Sequence, residues 1–379
     1  MKRSLTVLVA VLVGGLVLGL AGLAAAADVK IGVVEELTGA VATFGQHTVN
    51  GVKLAVEEVN AKGGIKGVGK VDLLVEDNKS DAAESANAYN KLITRDKVVA
   101  IIGPATSTNT LAAAPIAQRA GIPVITPSGT AEKVTSVGDY IFRACFIDPF
   151  QGVVMANFAY KDLKLRKVAV MPEITSDYAM GLVQNFRERF EKLGGKIVAD
   201  EKWSSGDQDF SAQLTKIKAA KPDAIYVGSY YADVAQISRQ ARQLGIEVPF
   251  LGGDGFDSPD LFKLGQSAVV GHYFTNHYSP ETPSKAAQAF LKAYEAKYHE
   301  KPDAFAALGY DAARLFIQAI ERAKKADPKA IRDALAKTKN FHGATGTITF
   351  DAKRNPVKSA VILKVQKDGT AAFVKEVEP

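Results

Sequence analysis

Apolar and polar positions divide this chain into two kinds of stretch that alternate. "VKIGVVEEL", "VDLLVEDN", "VVAIIGP" and "IPVITP" are short apolar runs rich in β-branched residues, which predicts strands. Between them lie segments of helical period. "QHTVNGVKLAVEEVNAKGG" puts Val49, Val52, Ala55, Val56 and Val59 on one face and stops at a glycine pair, and "SDAAESANAYNKLITRD" and "TNTLAAAPIAQRAG" follow the same logic. The strand runs are continuously apolar rather than alternating. Such strands are buried on both faces, as in a parallel sheet covered by helices on each side.

The pattern then restarts with "RKVAVMPE" as a strand and "YAMGLVQNFRERFEKLGG" as a helix. The stretch "AAKPDAIYVGSYYADVAQISRQARQLGIEVPFLGGDGF" parallels "TRDKVVAIIGPATSTNTLAAAPIAQRAGIPVITPSGT". Gly103 aligns with Gly228 and Gly121 with Gly245, at nearly equal offsets. This predicts two similar α/β lobes rather than one long sheet. The last third holds three more helices, "AAQAFLKAYEAKYHEKP", "AFAALGYDAARLFIQAIERAKKA" and "DPKAIRDALAKTK", the last with Asp327 as cap and Pro328 at its first position. "GTITFDAKRNP" and "KSAVILKVQKDGTAAFVKEV" read as strands, with a hairpin at Asp368-Gly369. These elements must complete sheets already begun, so the chain crosses between lobes more than once.

Ligands of open parallel sheets bind beyond the carboxyl ends of the strands. In the first lobe those ends run into Pro104-Ala105-Thr106-Ser107-Thr108-Asn109-Thr110 and Pro127-Ser128-Gly129-Thr130. Hydroxyls and backbone N–H groups at helix N-termini suit a carboxylate without a formal charge in the site. In the second lobe they run into Ile174-Thr175-Ser176-Asp177-Tyr178, Ser229-Tyr230-Tyr231 and Asp254-Gly255-Phe256. An acid there suits an ammonium, and tyrosine rings add cation–π attraction or an apolar wall. One lobe for –COO⁻ and one for –NH₃⁺ is the chemistry of a free α-amino acid. The plain alternatives are a helix cap for Ser107 and a turn residue for Asp254, each flanked by ordinary turn chemistry.

Composition narrows the field. The chain has 379 residues and a net charge of +6, spread without a basic block, which argues against nucleic acid. Lys2 and Arg3, an apolar run from Leu5 to Leu23 and Ala24–Ala27 read as a secretory signal cleaved after Ala27, with no cysteine near the site. Its removal leaves about +4 and an exported product. Cys145 is the only cysteine, so no internal disulfide forms. Gly64 to Lys70 imitates a phosphate loop but is followed by Val71 and sits after a helix, the reverse of the required order. His272 and His277 do not have metal-site spacing, and no metal or other cofactor is expected. No nucleophile-elbow motif occurs, and no catalytic set is visible at the strand ends.

On "LTGAVATFGQHTVNGVKLAVEEVNAKGGIKG", "IIGPATSTNTLAAAPIAQRAGIPVITPSGTA", "YVGSYYADVAQISRQARQLG" and "FLGGDGF", the sequence resembles the periplasmic branched-chain amino-acid binding proteins of ABC transporters, over the whole mature chain. The resemblance implies a type I periplasmic binding protein. That fold is two Rossmann-like, doubly wound lobes joined by three crossovers, which closes on its ligand and hands it to a membrane permease. It implies a non-enzyme, acting as a monomer in the periplasm. Lobe one would take residues 28–147 and 279–353 and lobe two 148–278 and 354–379, with hinges near Ala144–Pro149, Asn276–Pro280 and Asp351–Val357. Carried over by position, Ser107 donates to the ligand carboxylate and the backbone carbonyl of Ser128 takes the ammonium. Thr130 contacts both ends, Asp254 stands where the family often has a Glu that pairs the ammonium, and Tyr178 and Tyr230 line the pocket. Phe44 replaces a Tyr or Trp of some members, which makes the side-chain end more apolar. The other readings are a receptor for a different small acid such as an aromatic carboxylate, or a sensory receptor of the same fold.

Overall fold

The computed structural model describes residues 28–379; the leader expected at 1–27 lies outside the described residues. The chain begins with β1 (Val29–Glu35), α1 (Ala42–Asn60), β2 (Val71–Asp77), α2 (Ala82–Lys91), β3 (Ala100–Ile102), α3 (Ser107–Ala120), β4 (Val124–Thr126) and β5 (Ile141–Arg143). The strands form a parallel sheet in the order β2-β1-β3-β4-β5. Successive strands step to opposite sides of β1, so a crevice opens between the carboxyl ends of β1 and β3. β3, β4 and β5 are buried along their whole length, as their unbroken apolar sequence requires.

The next stretch repeats this plan. It runs α4 (Asp148–Asn157), β6 (Lys167–Pro172), α5 (Asp177–Lys192), β7 (Lys196–Asp200), α6 (Ser211–Ala220), β8 (Ala224–Gly228), α7 (Tyr231–Gln243), β9 (Phe250–Gly252), α8 (Pro259–Gly265) and β10 (Tyr273–Asn276). The order β7-β6-β8-β9-β10 mirrors that of the first sheet. β3 and β8 hold equivalent places, as the alignment of Gly103 with Gly228 requires. Gly121 and Gly245 both close their helices at left-handed φ, 69° and 73°.

The chain continues with α9 (Lys285–Tyr298), α10 (Ala304–Ala323), α11 (Pro328–Leu335), β11 (Phe341–Gly343), β12 (Gly346–Phe350), β13 (Pro356–Val357), β14 (Ala360–Val365) and β15 (Ala371–Val377). Asp327 caps α11 by accepting from the Ala330 N–H, with Pro328 in the first turn. α10 is apolar over most of its circumference because it lies inside the first lobe, against α1. Two glycines permit that approach. A Cβ on Gly51 would lie 1.9 Å from the Ala306 carbonyl oxygen, and one on Gly309 2.3 Å from that of Thr48. β14 and β15 form the expected hairpin and extend the second sheet antiparallel to β10.

β11, β12 and β13 do not complete a sheet already begun: they form a separate antiparallel three-stranded sheet whose Phe341, Ile348 and Phe350 pack into the first-lobe core. The chain passes between the lobes after β5, after β10 and after β13. The first passage runs through residues 144–147 and the second through residues 277–284. The third lies slightly downstream: β13 pairs with β12, which carries the passage to Lys358 and Ser359 rather than Asp351–Val357. The lobes also touch directly. Thr43 donates to Asp260 (2.6 Å), the Asp177 N–H to Thr108 Oγ1 (3.2 Å), and the Ala304 N–H at the start of α10 to Asp257 (2.8 Å).

Beside that last contact, His47 on α1 meets Asp303, the cap of α10, at 2.6 Å. The Asp303 charge pushes His47 up to about 9, against the opposing effect of burial. A base raised on folding contributes its full stability below its unfolded value of about 6.5 and loses it as pH rises through the folded value. Thermal unfolding followed from neutral to about pH 9.5 should therefore show falling stability, and His47→Gln should flatten that decline. A wild-type profile level across this window would show that the pair contributes nothing.

Candidate ligand-binding site

The strand exits of the two sheets face each other across a narrow cavity. Its walls are Phe44, Ala105, Thr106, Ser107, Ser128, Tyr178, Tyr230, Asp254, Gly255 and Phe305. Six of the seven residues expected from sequence are thus brought together; Thr130 is not on the wall. The non-atom space here, part of it open to solvent, is ≈ 220 Å³, but a water centre can reach only ≈ 10 Å³ of it. Most of the space is therefore crevice, and the open part admits about one water. Pockets that hold small ligands are typically some 300–1,000 Å³, so a ligand enters only if the walls part.

The first-lobe wall rests on Glu36, which follows β1. Its buried carboxylate accepts from the backbone N–H groups of Ala105 and Thr106 (3.1 and 3.3 Å), from the Thr106 hydroxyl (2.8 Å) and from Asn109 Nδ2 (2.7 Å). These bonds fix the loop that delivers Ser107 into α3. Ser107 is not a plain cap: its Oγ accepts from the Ala131 N–H (3.1 Å), which leaves its own proton to give. Ser128 donates to the Ala105 carbonyl (2.9 Å), and the buried Arg143 guanidinium holds the carbonyls of Gly129 and Ala131 (2.7 and 2.9 Å). Thr130 lies deeper, fully buried, and its hydroxyl has no hydrogen-bond partner among the described residues. The small hydroxyl residues after β4 thus serve a loop stitched to its neighbours, not a solvated turn.

Aromatic rings form the middle of the cavity. Phe44 stacks on Phe305 (centroids 3.8 Å, 11°) and meets Tyr230 edge-on (5.7 Å, 78°), while Tyr230 stacks on Tyr178 (5.2 Å, 9°). Burial drives both phenols well above their usual range, so they stay protonated. Tyr178 accepts from the Gly255 N–H at 3.0 Å.

Asp254, only 3% exposed, closes the second-lobe side. Oδ1 accepts from Gln151 Nε2 and Oδ2 faces His277 Nε2, each at 3.0 Å. Gln151 also donates to Asp148 at 2.8 Å. Burial, and then the charge of Asp254, push Asp148 up to about 7, whereas burial pushes His277 down and keeps its ring neutral. A turn aspartate would be exposed and loosely held; this one is fixed at both oxygens.

Sequence reasoning missed Glu36, Gln151, His277 and Phe305. Glu36 carried a signal, an acid pair directly after a buried strand, because the rule that ligands gather at strand exits applies to β1 as well as β3. Gln151 and His277 adjoin passages between the sheets and carried none. Phe305 opens a helix some 260 residues from Phe44.

Residues 28–370 match the profile of the periplasmic binding protein family. Leu/Ile/Val-binding protein homolog 3 of Brucella melitensis is 33% identical over 329 residues, 86% of this chain and 88% of that one. The crystal structure of the leucine-binding protein LivK from Thermotoga maritima has a TM-score of 0.88 at 42% identity, covering 93% of this chain and 99% of that one. The branched-chain amino acid transporter substrate-binding protein LivJ from Streptococcus pneumoniae, in complex with isoleucine, gives 0.88 at 41% identity over 93% and 100%.

The two acids at the end of β1, Glu35 as its last residue and Glu36 just beyond it, should respond differently to neutralisation. Glu35 is buried, its oxygens have no hydrogen-bond partner among the described residues, and burial followed by the charge of Glu36 raises it far above the carboxylate range. That shift favours the neutral acid, so Glu35→Gln exchanges one neutral group for another and should cost less than the change at Glu36. Glu36→Gln turns an amide toward donors that need an acceptor, and should cost about 1–3 kcal/mol. Urea unfolding of both variants checks the contrast; equal losses would contradict it.

Proposed function

The chain belongs to the periplasmic binding protein family, and from that premise we propose that it captures a branched-chain, apolar amino acid between its lobes and delivers it to an ABC permease. Family and relatives alike make it an extracytoplasmic solute receptor, not an enzyme. The compartment we assign is the periplasm, and the working unit is one chain with one ligand. Residues 28–147 and 279–353 form lobe one and 148–278 and 354–379 lobe two, with the third boundary shifted to Lys358 if the pairing of β13 is followed.

One observation carries the reading. Ser107 and Ser128 from one sheet and Asp254 from the other line a single cavity, with Phe44, Phe305, Tyr178 and Tyr230 between them. The hydroxyls and the α3 N-terminus receive the carboxylate, where the helix dipole favours negative charge. Asp254 and the carbonyl of Ser128 receive the ammonium. The rings receive the ligand's side chain, and an apolar one is supported by the relatives named as Leu/Ile/Val-binding and leucine-binding proteins. A carboxylic acid without an amine would stack on those rings but leave Asp254 unpaired beside a second anion, which disfavours the aromatic-acid alternative.

Calorimetric titration with the common amino acids and with aromatic acids tests the assignment. Leucine, isoleucine or valine should bind most tightly. Asp254→Asn should lower that affinity on the order of 10²-fold or more, because one charge of a buried pair is left without its partner. An unchanged affinity in this variant, or a wild-type preference for acids without an amine, would overturn the amino-acid reading.

Small-angle scattering tests the motion. The narrow cavity requires an open form, and hinge bending at the three passages is the route to it. Adding saturating ligand should shift the scattering toward the more compact form; identical profiles would refute closure.

A further inference from the structure

Asp254 sits on a short turn after β9, yet neither holder of its carboxylate belongs to that turn. His277 lies in the passage between β10 and α9, and Gln151 lies in the first turns of α4, just after the passage from β5. The His277 ring packs at a tilt against Phe146, which lies in that first passage (centroids 3.7 Å, 30°). The carboxylate on the cavity wall is therefore joined directly to the second passage through His277, and to the first through the Phe146 contact of that ring and through Gln151 at the start of α4.

The bonding pattern has a direction. Facing a carboxylate, His277 presents Nε2–H, and its other nitrogen is buried with no hydrogen-bond partner among the described residues. Gln151 spends its amide hydrogens on Asp254 and Asp148, and its oxygen accepts from the Thr275 hydroxyl at 3.0 Å. It is saturated and cannot take over if His277 is lost. Aspartate also has a short side chain, so its reach toward a ligand depends on how its carboxylate is held. Resting on the receptor reading above, we propose that His277 is a positioning residue: its Nε2–H aims the Asp254 carboxylate at the ligand ammonium and ties that contact to the hinge. A neutral donor suits this task, because it orients the anion without competing as a second cation.

The test is titration of wild type, His277→Leu and His277→Gln with leucine and with its des-amino analogue, 4-methylpentanoate. Circular dichroism confirms folding. Leu removes the donor, and leucine affinity should fall about tenfold or more, the usual loss for a hydrogen bond to a charged group. Weak binding of 4-methylpentanoate should be unchanged, since it makes no use of Asp254. Gln places an N–H near the position of Nε2 and should return leucine affinity to within about threefold of wild type. The inference is overturned if His277→Leu binds leucine as tightly as wild type, if it loses both ligands equally, or if Gln gives no rescue. Should the Leu variant not fold, His277→Asn replaces it: its shorter amide does not reach Asp254, so it should bind leucine more weakly than His277→Gln, and equal affinities would overturn the inference. A wild-type protein that binds no amino acid would instead defeat the receptor reading, and this inference with it.

Discussion

Strands of a parallel sheet all present their carboxyl ends to the same side, and in this protein two such sheets turn those ends toward each other. The rest of the site follows from that constraint. Each sheet changes winding direction once, at β1/β3 and at β6/β8, and each change opens a crevice between loops. The repeated strand order puts the two crevices in equivalent places. Neither lobe alone makes the cavity; the facing pair does.

The two lobes use the same backbone geometry for opposite charges. In the first, buried Glu36 engages the backbone N–H groups of Ala105 and Thr106, and the fully buried Arg143 engages the carbonyls of Gly129 and Ala131. These ions are not on the cavity wall. They hold its loops, so that hydroxyls rather than formal charges face the cavity. In the second lobe the ion itself, Asp254, faces the cavity. Burying an ion is tolerable only where its hydrogen bonds are satisfied, and Gln151 and His277 meet that need.

Buried polar groups also gather where the chain passes between the lobes. Arg143, Asp148 and Gln151 flank the first passage, His277 lies in the second and Lys358 in the third. Lys358 donates to Thr345 and is pushed by burial down to about 8, with Asp311 acting in the opposite direction. Apolar side chains slide over one another at little cost, whereas hydrogen-bonded groups favour discrete arrangements. A hinge built this way favours defined positions over a continuum.

The alternation of strands and helices, the division into two similar lobes and the hairpin after β14 were legible in the sequence, because each rests on local periodicity or local turn chemistry. The candidate residues at the ends of β3, β4, β6, β8 and β9 were legible for a related reason: a rule of topology converts a strand's end into a place. β5, β7 and β10 and the helices α4, α6 and α8 were not read: three or four residues in β5 and β10, partial exposure in β7 and seven to ten residues in each helix leave no clear period. The displacement of Thr130 from the wall, the stacking of Phe44 on Phe305 and the clamp of His277 and Gln151 on Asp254 were decided only in three dimensions. Asp254 and Gln151 are 103 residues apart, and Asp254 and His277 23 apart across β10. Sequence determines which groups each strand end carries. Which of them meet is set by how two sheets pack and by where the chain crosses between them, and no local pattern records that.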